Sequence, residues 1–187
     1  MGLPNINFVT LMGNHEECMI RALGGDEKAA RKWFDCGGAS TLAEVGLSPA
    51  DKKWREEFRS AVGDPTLLWV AGLPLTHRID DLLFVHAGID PGQPLVRQDR
   101  ATLLWTRGPF LGSPGPYAEN VAVIHGHTPQ EAVDLQHPNR INLDTGAFRS
   151  GRLSALVIAG ERMSVITAFR GSVVWPHERR GSPSISL

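Results

Sequence analysis

Three apolar stretches of this chain end in a histidine that stands next to a glycine or one residue from it: L-M-G-N-H-E (Leu11–Glu16), L-L-F-V-H-A-G (Leu82–Gly88) and V-A-V-I-H-G-H-T (Val121–Thr128). A short apolar run bounded by turn residues reads as a buried strand. In open α/β sheets ligands collect beyond the strand ends, where loop side chains converge while the strands hold them rigid. Core histidines placed independently have no reason to repeat this arrangement, so His15, His86 and His127 are expected to share one site. Neutral imidazole is the commonest transition-metal ligand, and Asn14 adds a carbonyl oxygen, so the donors suit zinc, manganese or iron. Gly13, Gly88 and Gly126 let backbone approach a ligand closely.

The rest of the composition narrows the class. With 187 residues, 42% of them hydrophobic and 21% charged, the chain is expected to form one globular domain with a sizeable core. Nineteen Lys and Arg against 20 Asp and Glu leave a formal charge of −1, so no electrostatic footprint points to nucleic acid or an anionic membrane. No apolar run approaches the roughly 18 residues of a membrane span. The opening M-G-L-P-N-I lacks the basic region of a secretion signal, and Ile6 breaks the myristoylation pattern. Cys18 and Cys36 form no C-x-x-C pair and read as free thiols of a reducing compartment, which places the chain in the cytoplasm.

Along the chain, Phe8–Met12 reads as a strand that runs into a helix from His15 to Leu23, stopped by Gly24-Gly25. Helices are then predicted over Glu27–Phe34, Ser40–Val45 and Pro49–Val62, the last with Ser48 as N-cap and with Trp54, Phe58 and Val62 on one face. These make residues 26–71 a helical insert on the side of a sheet. From Leu73 the period shortens, and strands are predicted at Leu73–Ile79, Leu82–His86, Val121–His125, Ile141–Asp144, Leu153–Ala159 and Met163–Phe169. Asp80-Asp81 and Gly160-Glu161 read as hairpin turns. Residues 87–120, rich in Gly and Pro, read as long functional loops, and residues 171–187 as a surface or disordered tail.

Several familiar chemistries are excluded. His15-Glu16-Glu17-Cys18-Met19 is not H-E-x-x-H, and there is no P-loop, no G-x-G-x-x-G and no G-x-S-x-G. Five blocks in order do, however, resemble one family. They are G-N-H-E (Gly13–Glu16), V-H-A-G-I-D-P-G (Val85–Gly92), L-L-W-T-R (Leu103–Arg107), H-G-H-T-P (His125–Pro129) and N-R-I-N-L-D-T-G-A (Asn139–Ala147). Together they resemble the bacterial phosphoprotein phosphatases of the metallophosphoesterase (calcineurin-like) superfamily, which act on phosphoserine, phosphothreonine or phosphotyrosine.

The resemblance implies an α/β fold: a four-layer metallophosphoesterase-type β-sandwich flanked by helices, filling residues 1–170 as a partial domain. It also implies a dinuclear metal site, most naturally manganese with iron or zinc as alternatives, and in-line attack on phosphate by a metal-activated water. Carried over block by block, Asn14, His86 and His127 look like the ligands of one metal, His15 like the acid that protonates the leaving alkoxide, and Arg107 like a bidentate clamp on phosphate oxygens. The lesser alternative is that Arg107 covers Trp105 as an ordinary surface arginine. His125 is placed behind the ligand His127, Asp144 on a ligand histidine or a nearby turn, and Glu16 at the loop or helix start. His77, His137 and His177 match no block and read as surface residues.

One departure is large. The family's G-D-x-H-G and G-D-x-x-D-R-G motifs precede G-N-H-E, and only 12 residues stand there in this chain. The sequence therefore reads as N-terminally truncated by two strands, roughly 60 residues at about 30 per βαβ unit, with half of the metal site absent and activity impaired. Partners expected on this reading are a phosphorylated protein or small phosphoester, with neither nucleic acid nor membrane, and another copy of the chain pairing at an exposed sheet edge. A dinucleoside polyphosphate hydrolase and a non-catalytic metal- or phosphate-binding module are the rival functions.

Overall fold

The computed structural model describes residues 6–160, 162–169 and 172–174. They form a mixed α/β structure in two compact units divided after Pro74, with no closed barrel.

The first unit is helical. Helix α1 spans Asn14–Leu23, buries Asn14, Cys18 and Ala22 along one face, and ends at Gly24 and Gly25 as the sequence predicts. Helix α2 (Glu27–Trp33) is capped by Asp26, whose carboxylate accepts from the Lys28 and Ala29 amides at 3.0 Å. These amides and the Arg21 side chain hold the Asp26 carboxyl below the usual range. A kink at Phe34–Gly38, with Gly37 at φ +109°, separates α2 from α3 (Ala39–Glu44). Helices α4 (Trp54–Val62) and α5 (Asp64–Ala71) complete the unit. Their core is aromatic: the Trp33 ring lies 5.9 Å from Trp54 and 5.7 Å from Phe58, centre to centre.

Two expectations fail here. Phe8–Met12 is not a strand; it has no ladder partner among the described residues, Phe8 is 79% exposed, and the Met12 amide donates to the Pro74 carbonyl at 2.9 Å. Apolar composition suits a strand, but the first unit has no described strand to pair with it. Helix α4 also begins at Trp54 rather than Pro49. The Ser48 amide donates to Asp51 and the Ala50 amide to the Ser48 hydroxyl, so local side-chain bonds hold a turn where a helix was expected.

The second unit carries the strands. Strands β1 (Thr76–Ile79), β2 (Leu82–Val85), β3 (Ala122–His125) and β4 (Arg140–Asn142) form one sheet in that order. The β1–β2 pair is an antiparallel hairpin through Asp80-Asp81, with Asp80 at φ +51°, whereas β2–β3 and β3–β4 are parallel. Residues 87–120 are not merely loops. They hold α6 (Arg100–Trp105), capped by the Asp99 carboxylate on the Thr102 amide at 3.0 Å, and α7 (Gly108–Leu111). Leu83, Val85, Leu103, Phe110, Tyr117 and Val123 pack into the core of this sheet.

After a one-turn helix, α8 (Ala147–Ser150), strands β5 (Arg152–Ala159), β6 (Arg162–Phe169) and β7 (Ser172–Val174) form a second, antiparallel sheet. Ser172–Val174, assigned to the tail by composition, thus extend a sheet. Gly171, the rest of the predicted tail, His177 and Glu161 lie outside the described residues. Among the described residues no helix is long and apolar enough to cross a membrane.

Gly38 offers a clean test of the first unit. Its φ of −61° suits any residue, yet a Cβ there would stand 2.4 Å from the Trp33 ring. Gly38→Ala is expected to cost about 1–3 kcal/mol of stability through overpacking, read from urea unfolding followed by tryptophan fluorescence.

Candidate metal centre

Parallel pairing brings two of the predicted histidines together. Phe84 stands opposite Ile124 in the β2–β3 register, so both strands end at one level and their following loops start side by side. The Gly126 amide extends the ladder by donating to the His86 carbonyl at 2.9 Å. Across this bond His86 Nε2 lies 3.2 Å from His127 Nδ1, with ring centres 5.0 Å apart and planes at 59°. The Trp105 indole, from the L-L-W-T-R block, stands edge-on to His127 at 5.9 Å.

That separation is chemically specific. Two nitrogens held at about 2.05 Å from one ion stand roughly 2.9 Å apart at octahedral angles and roughly 3.3 Å apart at tetrahedral ones. The observed 3.2 Å falls inside that range and also suits a hydrogen bond between the rings, in which a proton takes the bridging position. The donor set therefore fits a divalent first-row cation at two positions. Among the described residues no three His, Cys, Asp or Glu side chains gather as a metal cage.

The loop carrying His127 is strained and tightly held. His127 has φ +66°, and the Thr128 amide donates to the Gly126 carbonyl at 2.7 Å, which makes a γ-turn of the rare hand. The neighbouring N-L-D-T-G segment over-determines this turn. Buried Asn142 donates from Nδ2 to the Thr128 carbonyl at 2.7 Å and accepts the Asp144 amide at 3.0 Å. Gln130 adds its amide to the Asp144 carbonyl at 3.0 Å and its side chain to the Asn142 carbonyl at 2.8 Å. The His86 loop is tied by the Ala87 amide to the Leu103 carbonyl at 2.9 Å, and farther on by Gln98, which pairs with the Asp90 amide and carbonyl.

The other predicted residues fall as follows. Arg107 is exposed and precedes α7, three residues ahead of fully buried Phe110. Asn14 and His15 belong to the first unit, where Asn14 is buried at the first position of α1 and His15 is exposed beside it. His15 therefore does not follow a strand, in contrast to His86 and His127. Asp144 takes the turn option, its carboxylate accepting the Gly146 amide at 2.8 Å. Half-buried His77 and His137 are not the plain surface residues expected: His77 packs on Phe84, and His137 Nδ1 accepts the Asn139 amide at 3.1 Å. His125 is 2% exposed, with Phe110 edge-on at 5.0 Å, and burial pushes its pKa down to about 4. Trp105, Gln98 and Asn142 were given no role from sequence; Trp105 and Asn142 lie inside matched blocks, whereas Gln98 lies between two of them and carries no signal of its own.

Set against family models, curated proteins and solved structures, the chain matches none of them.

Two outcomes follow from this geometry. Asn142→Leu keeps the branching and heavy-atom count of the side chain but removes both of its bonds, and should cost about 1–3 kcal/mol in thermal or urea unfolding. His125 stays neutral in the fold until pH nears 4, whereas the unfolded imidazole takes a proton near 6.5. Its contribution to stability is therefore intact above about 6.5 and is lost as pH falls toward 4, by about 3 kcal/mol in total. His125→Phe should flatten that part of a stability–pH curve.

Proposed function

We propose that this chain is a metal-dependent phosphoric monoester hydrolase of the phosphoprotein phosphatase type, with the four-layer metallophosphoesterase sandwich as its framework. The observation that supports this most strongly is the His86–His127 pair, two nitrogens 3.2 Å apart at the ends of parallel strands. In this reading His86 Nε2 and His127 Nδ1 hold a divalent cation, manganese ahead of iron or zinc; the Asn14 carbonyl is a donor by the G-N-H-E resemblance alone. When bound, such an ion polarises a phosphoryl oxygen and makes water acidic enough to supply a nucleophile near neutral pH.

The chain's own residues have separate tasks. The exposed guanidinium of Arg107 takes two phosphate oxygens in a planar fork, fixing the ester for in-line displacement. By the G-N-H-E resemblance, the exposed imidazole of His15 is the proposed acid, giving a proton to the departing alkoxide so that it leaves as an alcohol. The Trp105 edge restricts the His127 ring and keeps its Nδ1 toward His86. The substrates proposed are phosphorylated proteins or small phosphomonoesters. The compartment proposed is the cytoplasm, in keeping with Cys18 and Cys36, which are both free thiols.

Manganese binding tests this reading. Electron paramagnetic resonance of Mn²⁺ titrated into the protein should show a bound ion whose affinity falls at least about tenfold in His86→Ala and in His127→Ala. Arg107→Ala should leave Mn²⁺ affinity unchanged and weaken inorganic phosphate binding to the loaded protein by roughly tenfold, the scale of one charge-assisted contact. Mn²⁺ binding that survives the double histidine replacement would contradict the reading.

A further inference from the structure

Phe110 connects three parts of the site that the matched blocks treat as separate. Its ring is fully buried and occupies the space that a side chain on Gly88 would need: a Cβ built there would stand 2.2 Å from Cδ1 of the ring. Gly88 lies two residues after His86. The same ring meets the His125 imidazole edge-on at 5.0 Å, and His125 lies two residues before His127. Phe110 therefore stands between the two histidine loops at the same remove along the chain from each. It also belongs to the turn that begins at Arg107, closed by the Leu111 amide on the Arg107 carbonyl at 2.8 Å.

Little else fixes the His125 ring. Its Nδ1 is bonded to the carbonyl of its neighbour Gly126 at 3.1 Å, and its Nε2 has no hydrogen-bond partner among the described residues. The orientation of that ring therefore rests on this one side-chain bond and on the edge-on contact with Phe110. The Gly88 backbone, at φ +149°, is open to glycine and strained for other residues, and the absence of a side chain there lets the ring reach the His86 loop.

We infer that Phe110 is a positioning residue: its ring sets the spacing of His86 and His127 and ties that spacing to the turn carrying Arg107. This rests on reading the pair as a metal site, so the test separates the two ideas. Phe110→Leu keeps apolar bulk but loses the flat ring, and Val121→Ala removes bulk from the same apolar core as a control. Melting temperatures report the general loss of packing in both. Mn²⁺ titration, followed by electron paramagnetic resonance below both melting points, should show about tenfold weaker binding for Phe110→Leu and a change within about twofold for Val121→Ala. Should Phe110→Leu fail to fold, Phe110→Met carries the same comparison.

If the unaltered protein binds no Mn²⁺, the metal reading fails and Phe110 is judged on the ring-to-ring hydrogen bond alone. Nitrogen-15 NMR of the imidazoles should then show a shared, exchange-protected N–H between His86 and His127 that is lost in Phe110→Leu and kept in Val121→Ala. Phe110→Leu retaining the unaltered protein's Mn²⁺ affinity, or its shared proton where no Mn²⁺ binds, would overturn the inference.

Discussion

The hydrogen bond from the Gly126 amide to the His86 carbonyl, 2.9 Å long, is the contact on which the candidate site depends. It is the last rung of the parallel β2–β3 ladder, placed just beyond the strands, and it brings two separate loops to one point. With the backbones locked there, the only remaining variables for His86 and His127 are loop shape and ring rotation. Loop shape is fixed by the γ-turn at His127 and the four bonds that Asn142 and Gln130 make around it. Ring rotation of His127 is restricted by Trp105. A strained turn held by so many bonds is the usual arrangement at sites where position matters more than stability.

Much of this was legible in the sequence because it follows from local pattern. Short apolar or alternating runs marked six strands to within about three residues, and Asp80-Asp81 marked a two-residue hairpin, since Asp tolerates the left-handed backbone that such a turn requires. The idea that histidines at strand ends converge succeeded for His86 and His127, whose strands are parallel neighbours. The strand-end premise does not hold for His15, because Phe8–Met12 has the composition of a strand but no described partner in its unit, and composition alone makes no ladder.

What the sequence concealed is tertiary or depends on a single side chain. The turn at Ser48–Asp51 replaces a helix start because Asp51 and Ser48 capture nearby amides, a competition that helix propensity does not register. Helix α6 hides in a Gly- and Pro-rich stretch and declares itself only through the Asp99 cap. Phe110, three residues after Arg107, reads in sequence as one more apolar residue; only the fold sets it against Gly88 and His125. The roles of Asn142 and Gln98 likewise come from the loops they bind, not from any motif of their own.

Whether His86 and His127 hold one cation jointly is decided by anomalous diffraction from crystals soaked in Mn²⁺ or Zn²⁺. A single anomalous peak within about 2.0–2.3 Å of both His86 Nε2 and His127 Nδ1 is expected. A peak on only one of the two rings, or peaks elsewhere with the rings still hydrogen bonded to each other, would contradict it.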